Sequence, residues 1–533
     1  MILNSLLIVA VIILACVFCN KLSSRFGIPA LLIFILLGMF FGSDGIIKIN
    51  FSNFQLTEQV CSVALIFIMF YGGFGTKWSE AKPAAAKAVL LSTVGVVLTA
   101  AIVGLFCHFV LHFSIMESFL IGAVISSTDA ASVFSILRSK QLNLKYNTAS
   151  LLEVESGSND PCSYMLTVIL LSAMSGEVTG TKVVFMIIGQ VLFGVGCGFL
   201  IAKLAIWILK NVNLSNDGFD TIFVFAMVIL SYAIPSAIGG NGYLSTYLFG
   251  IILGNHSLKN KKSLVHFFDG LTGLMQMLLF FLLGLLAFPS QMPKIVLPAL
   301  LIAVFLTLVA RPLSIFALLT PFRCKPRQQL LVALAGLRGA ASIVFAIMTV
   351  ISPAYISMDI FHIVFFIVLF SILVQGTLLP LAAKKLDLID ESGHVLKTFN
   401  DYTDEVPVQF IQVTVKEGHP WAGLAVHEIL LPPETLFIRL HRGRSRITPT
   451  GNTVIEAGDT LILSAKASSA SDEVKLTEIV LDDSSRRIGK SISELKLDEG
   501  KLVIMIQRDD DIVIPNGSTT LKSGDKLVIT QYN

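Results

Sequence analysis

Long apolar runs separated by short polar turns fill the chain from its first residue to about position 385. About thirteen of these runs have the length of a membrane-spanning helix. Their approximate spans are 1–19, 27–43, 57–75, 84–111, 116–137, 150–175, 183–209, 220–238, 243–254, 264–288, 295–319, 328–351 and 357–382. The pattern predicts a polytopic α-helical membrane domain over residues 1–385, in which the short ninth run is typical of a broken or re-entrant helix.

Basic residues between these runs are distributed unevenly. The odd-numbered loops carry 17 Lys and Arg residues, whereas the even-numbered loops carry only Lys48, Lys182 and Lys294. Because cytoplasmic loops of membrane proteins are enriched in Lys and Arg, this bias predicts an N-terminus outside the membrane and a C-terminal part inside. That orientation requires an odd number of spans.

Composition separates the C-terminal part from the rest. Of the 75 charged side chains, 34 lie from Asp404 onward, in the last quarter of the sequence. The whole chain is 54% hydrophobic and 14% charged, which excludes an ordinary soluble protein, where about 25% is charged. A net charge of +3 gives no reason to expect a nucleic-acid partner.

Ionisable residues interrupt three of the apolar runs, where a charge is costly and its presence points to function. They lie in the stretches 125–132, 152–161 and 335–342, and they are Asp129, Glu153, Glu155, Asp160 and Arg338. Glycine and proline beside them favour interrupted helices, whose open backbone can line a cavity and coordinate a cation. Arg311 and Lys203 lie nearer helix ends, and we expect both to extend to the membrane surface.

Helical spacing suggests different roles for the acidic residues of the second stretch. Ser156 and Asp160 share a face at i, i+4, and Glu153 lies almost in line with them, on the expected cytoplasmic approach to the site. Glu155 is rotated by roughly 140° from Asp160, so we expect it to form a buried ion pair with Arg338. Asp160 then lacks a permanent counter-ion and must bind either a proton or a cation, the minimum requirement for cation/proton exchange. A purely structural polar network is the alternative, but four acids do not balance one buried arginine.

A short internal repeat joins the first and third stretches. Residues 128–132 resemble residues 338–342 at an offset of 210, and the predicted topology runs these two helices in opposite directions. This arrangement is typical of an inverted-repeat transporter.

Three motifs in this order resemble the monovalent cation:proton antiporter 1 family over about residues 1–385. They are Ser127-Thr128-Asp129, Glu155-Ser156-x-x-Asn159-Asp160 and Gly336-Leu337-Arg338-Gly339. The resemblance implies crossed broken helices, a homodimer and an elevator-like alternating-access cycle.

The resemblance also implies residue roles. Asp160 would alternate between cation and proton, with Ser156, Asp129 and the backbone of Thr128 completing the cation site. Asn159 would support the site, and Glu155 with Arg338 would be the structural ion pair. Because Asn159 cannot titrate where electrogenic relatives carry a second Asp, the resemblance implies electroneutral exchange.

The charged C-terminal part contains a gapless repeat at an offset of 66. Residues 428–442 match 494–508, and Gly458-Asp459 matches Gly524-Asp525, which indicates a tandem duplication. We expect a linker at 386–405 and two small α+β domains at 406–468 and 472–533. The first copy has predicted strands at 408–415, 436–440 and 461–463 and a helix at 422–430.

These two domains resemble the TrkA C-terminal domain, which implies a regulatory role and cyclic di-AMP as a possible ligand. Arg442 and Arg508 are the candidate phosphate ligands, and a ligand-free dimerisation clamp is the alternative. No G-x-G-x-x-G motif follows a strand, so NAD sensing is not expected. We expect no resident cofactor and no metal beyond the transported cation.

Together the residue pattern and the antiporter resemblance predict a bacterial inner-membrane cation/proton antiporter. The resemblance of the tail to TrkA C-terminal domains, which are associated with potassium handling, implies that the antiporter exports K⁺. A Na⁺/H⁺ antiporter is the first alternative, because the expected oxygen ligands suit both ions. A ligand-gated cation channel and a signalling receptor are the alternatives from other classes. No enzymatic chemistry is predicted, since no Ser/His/Asp arrangement lies at a plausible site.

Overall fold

The computed structural model describes residues 2–531, apart from 27–29, 140–141, 177–179, 213–217, 259, 355, 391–407, 433–434, 444, 467–474, 483–484, 486, 496–500, 509–510 and 514. The chain forms two compact units, Met1–Thr403 and Asp404–Asn533. The first unit is helical, and the second contains only strands, turns and 3₁₀ turns among its described residues.

Eighteen α-helical segments form the described part of the first unit. In chain order, α1 to α18 are Ile2–Phe26, Ala30–Phe41, Phe54–Gly75, Trp78–Leu90, Val96–Phe109, Ile115–Val124, Ala130–Ser139, Thr148–Met174, Gly180–Asn211, Phe219–Ala237, Gly242–Gly254, Lys261–Leu286, Met292–Phe305, Arg311–Leu319, Pro326–Leu334, Ala340–Ile351, Ile360–Phe370 and Gly376–Lys385. Seven helices in the described chain are long and apolar enough to cross a membrane. The shorter segments arise because several predicted runs are interrupted.

Two kinds of interruption occur. Single π-helical turns at 91–95, 306–310 and 371–375 join α4 to α5, α13 to α14 and α17 to α18 without breaking the helix. Such a turn inserts an extra residue, which shifts the helical phase of everything after it. The other kind is a full break, between α6 and α7 and between α15 and α16.

Close glycine contacts join α2 to α12 and α3 to α11. A Cβ added at Gly38 would lie 2.2 Å from the Phe281 carbonyl oxygen, and one at Gly284 would lie 2.1 Å from that of Ile35. Gly250 likewise lies against the carbonyl of Phe70. Backbones approach this closely only where side chains are missing, which is how membrane helices pack tightly.

The start of the predicted linker belongs to the membrane unit. Lys145 forms a 3.0 Å salt bridge with Asp387, and Leu144 pairs with Ile389 in an antiparallel bridge. Residues 386–390 therefore pack on the loop before α8, which corrects the expected linker boundary. The rest of that linker, residues 391–405, lies outside the described residues.

Each half of the second unit forms a four-stranded antiparallel sheet. Strands β1 to β4 are Val408–Thr414, Thr435–Arg442, Ser445–Ile447 and Thr460–Lys466, and β5 to β8 are Lys475–Val480, Lys501–Arg508, Asp511–Val513 and Lys526–Gln531. The strand orders β1-β4-β2-β3 and β5-β8-β6-β7 are identical. Even the register irregularities, Phe437/Arg439 and Val503/Met505, recur at the offset of 66, so the sequence repeat is a repeat of structure.

The helix predicted at 422–430 is wrong. Those residues form turns and one 3₁₀ turn, Val426–Glu428, with a counterpart at Ile492–Glu494. Glu428 accepts a hydrogen bond from the backbone N–H of Ala425 (2.8 Å), which closes the turn on itself. The described residues of both domains therefore consist of sheets and 3₁₀ turns, and the α+β prediction is not confirmed for them.

Candidate functional site

Two helix breaks form the centre of the membrane unit. In the first, α6 ends at Val124 and α7 begins at Ala130; in the second, α15 ends at Leu334 and α16 begins at Ala340. Both breaks leave five non-helical residues, and they are separated by 210 positions. The offset found in the sequence repeat is therefore also the offset between two equal interruptions. Gly336 and Gly339 predicted the second break correctly. The interruption predicted at Gly157 and Pro161 is wrong, because α8 runs unbroken from Thr148 to Met174.

The two breaks contact each other. The backbone N–H of Asp129 donates to the carbonyl oxygen of Leu337 at 2.8 Å. The hydroxyls of Ser127 and Ser342 lie 3.3 Å apart. A Cβ at Gly339 would lie 2.4 Å from the Asp129 carboxylate, so only glycine allows this close approach. The breaks thus satisfy part of each other's exposed backbone, which membrane-embedded polar groups require.

Asp129 caps the helix that follows its break. The Ser132 hydroxyl donates to Asp129 Oδ2 at 2.5 Å, and the Ser132 backbone N–H donates to Oδ1 at 3.2 Å. A carboxylate in this position satisfies unpaired N–H groups and suits the positive end of the helix dipole. Asp129 therefore has a structural partner in addition to its predicted place in the cation site.

Helix α8 holds the first break through two side chains on one face. The Ser156 hydroxyl donates to the carbonyl oxygen of Thr128, and the Asn159 amide donates to the Thr128 hydroxyl, both at 2.6 Å. Asn159 is 1% exposed. The Asn159 amide thus orients Thr128, and its supporting role in cation binding stays a prediction.

Asp160 faces a cavity of about 50 Å³. Its Oδ1 atom is buried and makes no hydrogen bond to the described residues. The same cavity is lined by Ser127, Thr128, Asp129 and Ser156. A carboxylate with one oxygen that makes no hydrogen bond, together with hydroxyl groups and the backbone of the helix break, can bind either a proton or a monovalent cation.

Glu153 lies two turns before Asp160 on α8. The Thr76 hydroxyl, just past the end of α3, donates to Glu153 Oε1 at 3.3 Å. Glu153 is half-buried and does not line the cavity among the described residues. Its predicted role on the approach to the site stays a prediction.

The predicted ion pair between Glu155 and Arg338 is wrong. Glu155 forms its salt bridge with Arg311, and both side chains are almost completely buried. The prediction that Arg311 extends to the membrane surface is therefore wrong as well. The π-turn at 306–310 directly precedes Arg311 and shifts the helical phase at that residue. Arg311 therefore lies beside the second break, where a Cβ added at Gly336 would be 2.8 Å from the Nε atom of Arg311.

Arg338 has a different environment. Its Nη1 donates to the Gly336 carbonyl at 3.1 Å, while Nε and Nη2 have no hydrogen-bond partner among the described residues. Its backbone N–H donates to the Ser371 hydroxyl at 2.9 Å. From there Ser371 bonds to Gln375, which donates to Thr307 at 2.8 Å. These hydrogen bonds connect two π-turns and support the second break. The sequence analysis did not identify this hydrogen-bond network.

Arg442 and Arg508, the predicted phosphate ligands, have partners inside their own domains. Arg442 Nε and Nη2 donate to Asp459 at 2.8 and 2.7 Å, and Arg508 makes the same two contacts with Asp525, both at 2.7 Å. The two carboxylates are 1% and 0% exposed. A phosphate would have to displace a bidentate, buried ion pair, so the geometry assigns both arginines a structural role.

We expect the ion pairs Arg442–Asp459 and Arg508–Asp525 to make the stability of the tail domains fall at acidic pH. The Arg442 guanidinium holds the pKa of the Asp459 carboxyl below its usual range by hydrogen bonding, and Arg508 does the same to the pKa of Asp525. Because the folded pKa is lowered, the stabilisation is present above about pH 4, the unfolded value, and is lost as the pH falls through the folded pKa. Calorimetry of the full-length protein in detergent should show the tail transition moving to lower temperature on acidification.

The matched comparison uses Arg442→Ala and Arg439→Ala. Arg439 lies in the same strand, but it is exposed and makes no comparable contact with the described residues. Arg442→Ala should lower the tail transition at neutral pH and flatten its pH dependence, whereas Arg439→Ala should leave both unchanged. Equal effects of the two variants would contradict the role of the ion pair.

Comparison with known proteins supports this description of both units. Residues 8–385 match the family model for the transmembrane domain of sodium/hydrogen exchangers, and residues 410–472 and 476–530 match that of the TrkA-C domain. The K⁺/H⁺ antiporter NhaP of Alkalimonas amylolytica is 33% identical over 88% of this chain and 82% of its own. The K⁺/H⁺ antiporter NhaP2 of Shewanella oneidensis is 32% identical over 86% and 80%.

A solved structure has the same fold. The sodium/proton antiporter MjNhaP1 of Methanocaldococcus jannaschii, determined at pH 8, superposes with a TM-score of 0.64 at 24% identity, over 72% of this chain and 99% of that one. The first unit therefore has the architecture of a polytopic helical transporter. The family match and the antiporter relatives show that the chain is a membrane transport protein rather than an enzyme. By its matching transmembrane domain, which covers more than half of its length, the chain belongs to the sodium/hydrogen exchanger family.

Proposed function

We propose that this protein exports K⁺ from a bacterial cell in exchange for protons, with Asp160 as the group that binds each in turn. The observation that carries the proposal is the buried, unpartnered Oδ1 of Asp160 beside a cavity lined by hydroxyl groups. A charge in that position is stable only with a cation bound, and a proton is the other way to neutralise it. Cation and proton therefore compete for one group.

One-for-one exchange is part of the proposal. Asn159, next to Asp160, carries no charge and uses its amide to bond Thr128. Asp129 is engaged as the cap of α7. With one carboxylate free to change its occupant, each cycle moves one charge each way.

The relatives support potassium over sodium. NhaP of Alkalimonas amylolytica and NhaP2 of Shewanella oneidensis, which match 88% and 86% of this chain, are named K⁺/H⁺ antiporters. A probable Na⁺/H⁺ antiporter of Methanocaldococcus jannaschii is 26% identical over only 62% of this chain. The chain thus resembles the named potassium antiporters over the greater length.

We further propose thirteen spans with an external N-terminus, an inverted repeat of the two broken helices, a homodimer in the inner membrane, and a cytoplasmic regulatory tail. The loop charges and the offset of 210 support the topology. For the tail, cyclic di-AMP or another nucleotide is the candidate ligand. Because Arg442 and Arg508 are held by Asp459 and Asp525, the proposed ligand would bind elsewhere in the tail.

The test uses purified protein in liposomes that contain a pH-sensitive dye and carry a preformed pH gradient. We expect KCl to dissipate the gradient at lower concentration than NaCl or LiCl, and the rate to be independent of an imposed membrane potential. A chain ending at residue 403 should still exchange ions but lose its regulation.

Three outcomes would contradict parts of this proposal. Dissipation by Na⁺ or Li⁺ alone would overturn the potassium assignment and leave the mechanism. A rate that follows the membrane potential would overturn one-for-one exchange. No dissipation by any of the three cations, with and without the tail, would overturn cation/proton antiport itself.

A further inference from the structure

The cavity beside Asp160 has a second wall, made by different helices. The first wall comes from the two breaks and α8, and the second comes from α2, α3 and α12. On the second wall the described lining side chains are Leu31, Leu65, Ile68, Phe280 and Gln276. Gln276 is the polar one among these five.

The size of the cavity makes this residue important. A water molecule needs roughly 10–15 Å³ of cavity volume. The cavity beside Asp160, at about 50 Å³, therefore accommodates only a few water-sized groups. A cation with a complete hydration shell does not fit. Protein oxygens must therefore replace the waters that the cation loses on entry.

The Gln276 carboxamide is available for this task. The side chain is half-buried, and no hydrogen bond joins it to the described residues. An unpaired amide in a largely apolar wall is costly unless it meets water or a ligand. Its Oε1 carries a partial negative charge, and amide carbonyl oxygens are ordinary ligands of hard cations.

The wall that carries Gln276 is held firmly. Gly284, two turns after Gln276 on α12, packs on the backbone of Ile35, and Gly38 packs on the backbone of Phe281. These contacts fix α12 against α2 close to the level at which Phe280 lines the cavity. A side chain on such a rigid element is a defined ligand position.

We propose that Gln276 is a specificity-determining ligand of the transported cation, donating its Oε1 from the wall opposite Asp160. The proposal rests on Asp160 being the exchange site. It also adds a step to the cycle, because Asp160 and Gln276 belong to different groups of helices. The cation is fully coordinated only while the two walls face each other across the cavity.

A second feature of α12 supports this assignment. Thr272, one turn before Gln276, has a buried hydroxyl oxygen without a hydrogen-bond partner among the described residues. Asp269, seven residues before Gln276 and hence nearly in line with it, accepts a 3.1 Å hydrogen bond from Tyr71. Polar groups therefore continue along α12 from the cavity towards its first turns.

The experiment compares Gln276→Met, Gln276→Glu and the control Gln291→Met with the wild type in the liposome assay. Methionine keeps the length of glutamine and removes the oxygen, with little change in volume. We expect Gln276→Met to raise the KM for K⁺ by about tenfold, the loss of one charge-assisted contact, and to change the ratio of K⁺ to Na⁺ transport. The maximal rate at saturating K⁺ should stay within about threefold. Gln291 is exposed beyond the end of α12, so the control Gln291→Met should leave the KM, the K⁺/Na⁺ ratio and the maximal rate unchanged.

A binding measurement separates a ligand from a merely structural residue. K⁺ that binds the folded protein raises its melting temperature in detergent. This K⁺-dependent shift should persist in Gln291→Met and shrink in Gln276→Met, whereas Gln276→Glu should enlarge it by adding a negative charge.

The outcomes distinguish this inference from the proposed function. Transport retained by Asp160→Asn would remove the exchange site and with it the basis of the inference. If Asp160→Asn is inactive while Gln276→Met keeps the wild-type KM, K⁺/Na⁺ ratio and thermal shift, the inference is wrong and the proposed function stands. If Gln276→Met lowers the maximal rate and the basal melting temperature at unchanged KM, its role is packing, which also overturns the inference.

Discussion

We expect Asp160→Asn to reduce cation/proton exchange by at least about two orders of magnitude, since an amide neither holds the cation's charge nor takes up a proton. The substitution preserves size and shape, and Oδ1 of Asp160 makes no hydrogen bond to the described residues. The loss should therefore come from chemistry, with little effect on folding. The measurement is dye-reported dissipation of a pH gradient by K⁺, Na⁺ and Li⁺ in liposomes.

The control for this variant is Asp220→Asn. Asp220 lies in the first turn of α10 and accepts a hydrogen bond from Asn260 at 3.0 Å, away from the described lining of the cavity. It should transport like the wild type, and both variants should elute from size-exclusion chromatography as the wild type does. Gradient dissipation by Asp160→Asn with any of the three cations would locate the exchange site elsewhere.

Much of the membrane unit could be predicted because the bilayer imposes strict rules on sequence. Every predicted apolar run coincides with a described helix, a pair of segments joined by a π-turn, or an interrupted pair. The second break could be located because Arg338 lies between two glycines in an apolar run, where a charge has few structural explanations. The same reasoning failed at Gly157 and Pro161, which lie inside the unbroken α8. The tail repeat was likewise visible, since Gly458-Asp459 and Gly524-Asp525 build the same turn twice.

The partner of Glu155 could not be predicted in the same way. Spacing along α8 shows which way Glu155 points, but it does not show which arginine lies there. Arg311 is close to a helix end in sequence, and the π-turn before it leaves no signature in the residue pattern. The choice between Arg311 and Arg338 depends on tertiary packing beside Gly336, which no local rule contains.

Gln276 was missed for a different reason. A single amide between Met275 and Met277 in an apolar run is a weaker signal than a charge, although a polar residue within a membrane segment is a recognised indication of function.

The prediction of a helix at 422–430 was wrong because a short capped turn and the first turn of a helix have the same residue pattern.

We expect Arg311→Met to destabilise the folded protein by about 3–5 kcal/mol, because removing one partner of a buried ion pair leaves the other charge uncompensated. Glu155, 1% exposed, would be that stranded charge. Neutralising it as well, in Glu155→Gln/Arg311→Met, should recover part of the lost stability. The measurement is the melting temperature of each variant in the same detergent.

The identity of the partner follows from a second pair of variants. In Glu155→Gln/Arg338→Met the coupling should be weaker than in Glu155→Gln/Arg311→Met, because the side chain of Arg338 bonds Gly336 and interacts with Glu155 only through its charge. Lys203→Met, which removes an exposed cation near Phe199, should cost little and controls for the loss of any membrane-segment charge. Stronger coupling of Glu155 to Arg338 than to Arg311 would restore the pairing expected from sequence alone.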